Sequence, residues 1–298
     1  MKNTKKKVLV LLTAVLISCT TIFAGCTNSG KTDKAVKYID VPLSQDAFVF
    51  GAAKTAKGKA TIEKVNKWIE KNKNTVQKLM EKYNTKSQEE IAKTTKIDYA
   101  TEATNDVDNE FVVTTSPDYP PYEYEYDGKY YGVDMEIAQM IAKEFGQKLV
   151  IEKTDFDSVI PATQKEESKT DLAMAGLTWT PERAKSLELS EKYIINETQV
   201  AMVNKNNTKF DNAKTAEDVK AQMKEILKKK GKLVLAAQKG STALATAKEL
   251  QKEFGRKVKV LEFKAPGLAV MEMMNGKVDV VLVDKSVATL LQKNIKKR

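Results

Sequence analysis

Asp171-Leu172-Ala173-Met174-Ala175-Gly176-Leu177-Thr178-Trp179-Thr180-Pro181-Glu182-Arg183-Ala184-Lys185 reads as a short apolar strand that ends in a turn and at once starts a helix. Leu172 to Ala175 is too short a run for a helix. Gly176 lets another group approach the backbone, and Thr180 followed by Pro181 is an N-cap with proline at the first helical position. Arg183 therefore falls in the first turn. A cation there opposes the positive end of the helix dipole unless an anion sits beside it, and a substrate carboxylate would be such an anion. A solvated surface arginine is the second reading the residues allow.

Strands and helices alternate on both sides of this corner. Before it come the strand Phe111 to Thr114, a helix from about Asp134 to Phe145 with Ile137, Ile141 and Phe145 on one side, the strand Leu149 to Ile151, and a helix near Ser158 to Gln164. Val200 to Val203 leaves this first set. A second set then follows: helix Ala216 to Lys229, strand Leu233 to Ala236, helix Thr242 to Phe254, strand Val258 to Phe263, helix Leu268 to Met274 and strand Val278 to Val283. Such alternation predicts an α/β protein with parallel strands in each of two lobes. Ligands in such sheets lie beyond the carboxyl ends of the strands, so the informative loops follow Val113, Ala175, Ala237 and Val283. Met271, Met273 and Met274 read as packing.

Ahead of these sets, Val36 to Leu43 and Ala47 to Ala53 read as extended chain with Pro42 between them. From Lys59 the period becomes helical: Ile62, Val65 and Ile69 share one face, and Val76, Leu79, Met80 and Tyr83 share a second after a break around Asn72 to Asn74. Trp68 completes the first face as a core residue. Ser87-Gln88-Glu89-Glu90 has the spacing of a capping box, and Thr94 to Asn109 has the polar composition of a linker.

The chain opens with Lys2, Lys5, Lys6 and Lys7 before an apolar stretch, Val8 to Gly25, that is shorter and more polar than the about 20 residues of a spanning helix. It ends in Phe23-Ala24-Gly25-Cys26 and resembles a bacterial lipoprotein signal, with Cys26 as the lipidated residue. Cys19, after Leu16-Ile17-Ser18, also fits that pattern; Cys26 is preferred because polar Thr27 to Lys31 follows it. The two cysteines of the chain are these two, so the expected mature body has neither a disulfide framework nor a thiol site. The sequence has no histidine, which removes the usual general base and the commonest metal ligand, so no metal or cofactor is expected. Formal charge is +10 for the whole chain and falls by four with the signal. The remaining lysines are scattered among glutamates, and no nucleic-acid module is evident.

Six segments in order carry a specific resemblance: Thr115 to Glu123, Gly132-Val133-Asp134, Asp155 to Pro161, Ala175 to Arg183, Gln238 to Thr242, and Asn275 to Asp279. Together they resemble the amino-acid-binding proteins of ABC importers, over residues 110 to about 293. The resemblance implies a two-lobed periplasmic-binding-protein-like fold of type II with two hinge strands, no catalysis, and a free amino acid held between the lobes for delivery to an importer permease. It further implies that Arg183 holds the ligand carboxylate with the Thr178 hydroxyl and the backbone around Gln238 and Thr242. Gly176 and Asp284 would receive the ammonium, and Tyr119 and Phe156 would flank the side chain. A zwitterion that loses its water in a closing cleft needs a fixed opposite charge for each of its own, which these residues supply. Alternatives remain: an N-cap role for Asp284, and core packing for Tyr119 and Phe156. Some exported dehydratases share this fold, with Glu123 the only candidate acid, and a sensor or adhesin is a third class. Ser116 stands where members specific for cationic ligands often carry an acid, which favours a polar uncharged ligand such as glutamine.

In the usual order of that family, the strand bearing the Asp284 position is followed by a return to the first lobe and two closing helices, yet this sequence ends at Arg298. Asp46 to Lys54, Thr61 to Ile69 and Val76 to Asn84 are similar to that closing segment, placed at the front. The reading is a circular permutant: signal peptide 1–25, lipid tether 26–33, lobe 1 from 50–83 and 110–198, linker 84–109, lobe 2 from 34–49 and 199–298. An extracytoplasmic, lipid-anchored monomer is expected. Ala47 to Ala53 should then lie beside Val200 to Val203, and Lys34 to Ile39 near Lys293 to Arg298. A separate N-terminal domain is the competing reading.

Overall fold

The computed structural model describes residues 35–295 apart from 105, 107, 166 and 167. The expected signal, Cys19, Cys26 and the tether up to residue 33 lie outside the described residues. The chain begins with an 18-residue strand, β1 (Val36–Ala53), and a 30-residue helix, α1 (Ala56–Thr85). A short helix α2 (Gln88–Thr94) leads to β2 (Glu110–Thr115) and a hairpin sheet of β3 (Asp118–Tyr119), β4 (Glu123–Tyr126) and β5 (Lys129–Tyr131). There follow α3 (Val133–Glu144), β6 (Lys148–Lys153), α4 (Phe156–Gln164), β7 (Leu172–Thr178), α5 (Pro181–Ser186), β8 (Leu187–Leu189) and β9 (Ile194–Asn204). The last part comprises α6 (Ala216–Lys230), β10 (Leu233–Gln238), α7 (Thr242–Phe254), β11 (Val258–Phe263), α8 (Pro266–Met274), β12 (Val280–Asp284) and α9 (Lys285–Ile295).

The strands form a mixed sheet in the order β11-β10-β12-β9-β1-β7-β2-β6, with β8 also on β1. Each flank is parallel, β2 with β6 and β7 on one side and β10 with β11 and β12 on the other. The two flanks are the lobes of the expected fold, joined by the antiparallel pair β1 and β9. No helix among the described residues is long and apolar enough to cross a membrane.

The front of the chain differs in detail from its reading. The two extended segments are one strand, and Pro42, which has no N–H to give the ladder, falls where the pairing shifts register between Ile39 and Ser44. Because the strand runs on past the proline, Lys37 to Ile39, not Ala47 to Ala53, lie beside Ala201 to Val203; Phe48 faces Ile194, and Gly51 to Ala53 face β8. The two helices expected from Lys59 form and together make up α1, meeting at a kink at Asn72 (φ −115°, ψ 18°), within the expected break, where the Asn72 side-chain amide donates to the Trp68 carbonyl at 2.8 Å. Ile62, Val65, Trp68, Ile69, Val76, Leu79 and Tyr83 are buried in one core with Phe111, Ile137 and Ile141. At the chain's end, the Tyr38 N–H donates to Gln292 Oε1 at 3.0 Å, while Lys293 Nζ reaches the Thr85 carbonyl at 3.1 Å; Lys34 and residues 296–298 lie outside the described residues.

The polar stretch after α2 is held along the first flank. Ala100 bridges to Val150, and the Tyr130 N–H donates to the Tyr99 hydroxyl at 2.9 Å. The capping box at Ser87 forms with Glu90 as read. The hairpin β3–β5 has no counterpart in the sequence reading, because its tyrosines resemble loop aromatics until they pack on the α1 face, Tyr83 edge-on to Tyr124 at 6.2 Å. Trp68→Ala, which removes a fully buried ring from this face, should lower stability by about 3–5 kcal/mol in urea unfolding; a loss below about 1 kcal/mol would show that α1 is peripheral to the core.

Candidate functional site

The corner read from the sequence forms as a strand, turn and helix. Thr180 Oγ1 accepts the Arg183 N–H at 3.1 Å, and Pro181 opens α5. The Arg183 side chain then folds back under the end of β7, where Nη1 donates to the Thr178 carbonyl at 2.7 Å and Nη2 to the Gly240 carbonyl at 3.3 Å. Its guanidinium lies over the Phe156 ring, 5.7 Å from the centroid. Arg183 is 9 % exposed, so the reading as a solvated surface arginine is wrong. No carboxylate among the described residues comes within 4.0 Å of it. Burial lowers its pKa to about 10, against the pull of Asp284 and Asp46.

The second lobe meets this corner at several points. Thr178 and Thr242 hydroxyls lie 3.3 Å apart, and Gln238 Nε2 donates to Asp118 Oδ1 at 2.9 Å. Lys239 pairs with Asp157 and Lys264 with Asp155, each at 2.7 Å. Gly240, at φ +79°, passes so close to Asp157 that a Cβ would sit 3.0 Å from the Asp157 Cα, so the close approach of the lobes requires glycine there. Tyr119 reaches across to donate to Asp284 Oδ2 at 2.6 Å. Asp284 is buried, and its other oxygen has no donor among the described residues.

Arg183, Thr178, Gln238, Thr242, Tyr119 and Asp284 are thus brought together, with two changes of role. Phe156 packs on the arginine, and Tyr119 orients Asp284 through its hydroxyl. Gly176, at φ +54°, lies beside the Tyr119 ring, and its N–H is taken by Asp134 Oδ2 at 3.1 Å. Asp284 does not need to cap α9, because the Ser286 N–H points to Glu197 Oε1 at 3.4 Å.

Four further residues belong to the site. Gln199 Nε2 donates to Asp46 Oδ2 and to Thr242 Oγ1, both at 2.9 Å. Glu197 accepts from the Tyr122 hydroxyl at 2.6 Å. Asp118, raised to about 6 chiefly by burial, accepts from Ser116 at 3.1 Å as well as from Gln238. The available signal was polar Glu197 and Gln199 interrupting an otherwise apolar strand; Asp46 gave none, since acids are common at strand ends.

Glu123, the candidate acid of the dehydratase reading, is fully buried, and neither of its carboxyl oxygens has a hydrogen-bond donor among the described residues. Burial, and after it the Asp134 carboxyl, raise its pKa well above the usual range. Asp134 is itself raised to about 6 by burial and holds the Tyr193 hydroxyl at 2.7 Å.

Residues 111–245 match the bacterial extracellular solute-binding proteins, family 3. The arginine-binding extracellular protein ArtP of Bacillus subtilis (strain 168) is 29% identical over 177 residues, 59% of this chain and 62% of that protein. An ancestral arginine-binding protein bound to arginine is 33% identical, with 62% of this chain and 74% of that one covered and a TM-score of 0.53. The ancestral amino acid-binding protein AncCDT-1, a precursor of cyclohexadienyl dehydratase, is 32% identical over 62% of this chain and 74% of that one, at a TM-score of 0.51. The chain spans about six-tenths of the length of the curated relatives it matches. It belongs to the bacterial extracellular solute-binding proteins of family 3, a membership that implies an extracytoplasmic location.

A carboxyl whose pKa is raised in the folded state favours folding when protonated, so this contribution is present at pH 4 and is lost as pH rises through the folded-state pKa, which for Glu123 lies well above the usual carboxylate range. Glu123→Gln should therefore shrink the loss of Tm between pH 5 and pH 8 by about 2–4 °C, the shift expected for about 1 kcal/mol in a protein of this size. An unchanged pH profile in scanning calorimetry would show that Glu123 does not contribute to it.

Proposed function

We propose that this chain captures a free amino acid between its lobes and delivers it, without chemistry, to an ABC importer. The observation that carries the reading is a buried arginine and a buried aspartate from opposite lobes that influence each other's charge without pairing. An amino acid supplies the missing partner of each: its carboxylate for Arg183, assisted by Thr178 and the backbone at Thr242, and its ammonium for Asp284. Lobe closure about β1 and β9 is the motion. The dehydratase alternative loses its acid, because Glu123 has no exposure and cannot meet a substrate.

Ser116 alone favours a neutral ligand, but its hydroxyl donates to Asp118, so the acid stands two residues on. We therefore read the ligand as a cationic amino acid such as L-arginine. The likeness to arginine-binding proteins agrees with this. Cys26 is the proposed lipid attachment. The proposed permutation rests on β1 and α1 completing the lobe built from β2, β6 and β7, and on the likeness beginning only after them.

Arg183→Ala should weaken L-arginine binding by about 2–5 kcal/mol, since truncating one member of a desolvated pair strands the other. Calorimetry showing near-wild-type affinity in a folded variant would overturn the site. L-arginine should bind at least about tenfold more tightly than L-glutamine, a gap of about 1.4 kcal/mol, with Asp118→Asn removing the preference; equal affinities in the parent would return the reading to a neutral ligand. Cys26→Ser should release the protein from membranes into the soluble fraction of cells, and retention of that variant would reject Cys26.

A further inference from the structure

The register of the central strands sets four polar side chains in one neighbourhood. Asp46 of β1 pairs with Glu197 of β9, and Asp284 of β12 pairs with Gln199, two residues along the same strand. Side chains two apart on a strand, and those directly across from them, share a face. Asp46, Glu197, Gln199 and Asp284 therefore line one face, and this holds whatever the angle between the lobes, because all three strands are neighbours in the sheet. Glu197 is turned to Tyr122 and Ser286. Gln199 binds Asp46. Asp284 has one oxygen on Tyr119 and one with no donor among the described residues, and the carboxyls of Glu197 and then Asp46 both act on it.

Two carboxylates with one shared surrounding, 4 % exposure at Asp284 and a third carboxylate behind them cannot all stay ionised without cations. The groups facing the pair are Glu197 on β9, Arg183 on α5, and the Tyr119 and Tyr122 hydroxyls. Lys285, the next cation along the chain, is committed to Asp40 at 2.6 Å. One guanidinium against three carboxyls leaves an excess of negative charge in a buried place, which is relieved by keeping a proton.

Resting on the amino-acid reading above, we propose that Asp46 completes the ammonium site with Asp284, that the two hold one proton between them before ligand binds, and that the ligand's ammonium displaces that proton to solvent. The step balances: one carboxyl gives H⁺ to the buffer, the –NH3⁺ group takes its place, and the ligand's own carboxylate meets Arg183. Burial raises both carboxyls, Asp284 well above its usual range with Glu197 adding to the effect, while the Gln199 and Tyr119 hydrogen bonds oppose it. The sign follows from linkage. A proton that must leave on binding makes affinity fall as pH drops below the pair's apparent pKa, by up to about tenfold per pH unit for one proton.

The test is the titration of aspartate 13Cγ resonances in the ligand-free protein, with Asp284 identified by its loss in Asp284→Asn. We expect Asp284 to titrate clearly above the ordinary aspartate range and to move back towards it in Asp46→Asn. The resonances of Asp118 and Asp134, whose pKa values burial raises to about 6, should persist unchanged in that variant. Added L-arginine should move Asp284 to its ionised position at pH 6, and calorimetry in phosphate and Tris buffers should count a proton release per ligand that falls by about half to one proton in Asp46→Asn. An ordinary titration of Asp284 in the ligand-free protein, or one that Asp46→Asn leaves in place, overturns the proposal. Failure of L-arginine to bind counts against the ligand reading, and the ligand-free titration then decides the pair by itself.

Discussion

Everything in the molecule hangs on the pairing of β1 with β9. The strand β1 is long enough to belong to both lobes: its early residues Ile39 and Val41 lie in the core with Phe210, Val219 and Leu235, and its late residues Phe48, Phe50 and Ala52 lie in the core with Trp68 and Ile137. Between these ends stand Ser44, Gln45 and Asp46. Apolar ends and a polar middle are what a strand needs if it is to leave one core, cross a wet cleft and enter another, since burying the middle without partners would cost more than the strand gains. The same alternation in β9 places Glu197 and Gln199 opposite. The polar crossing is therefore the floor of the proposed site, where the strands that join the two flanks carry Asp46, Glu197 and Gln199 on one stretch of backbone.

Charge in this crossing is unbalanced by construction. Arg183 gives up hydration and receives two carbonyl oxygens in return, which satisfy its donors without neutralising it. Across the cleft the carboxyls of Asp46, Glu197 and Asp284 receive hydroxyl and amide donors, also without neutralisation. Hydrogen bonds from neutral groups fix direction, and on the proposed reading the remaining electrostatic demand is met by a ligand that carries both signs. Placing a salt bridge there instead would have satisfied the residues among themselves and left less to gain on binding.

Most of this architecture was legible. The alternation of apolar runs and helical periods gave both flanks of the sheet, and Thr180-Pro181 located the corner because capping chemistry is local. The loss of helical period around Asn72 marks the kink between the two helices of α1, where the Asn72 side-chain amide takes the Trp68 carbonyl. Pro42 misled, since a proline at a register shift leaves a strand continuous. Phe156 and Tyr119 are read as flanking a ligand side chain from the resemblance alone; whether a ring lies on a ligand or on Arg183 depends on which lobe faces which. Asp46 could not have been found by local pattern at all. Its role is set by pairing with residues about 150 positions away, and only strand register carries that information.

That separation in sequence also decides how the lobes depend on each other. β1 is held by β9, β7 and β8, all made from chain more than 100 residues later, so α1 cannot find its full core until those strands exist. Closing so long a loop costs only slowly more as it lengthens, about 0.6 kcal/mol per doubling, so the arrangement is thermodynamically tolerable. It is costly in another sense, because non-local pairing must be assembled before it is rewarded. Neither lobe is then a unit that forms alone: the first lacks its edge against β7 without β1, and the second lacks Ile39 and Val41 from its core. Binding and folding meet in the same strand, and a substitution in the middle of β1 is expected to be felt in the cleft before it is felt in either core.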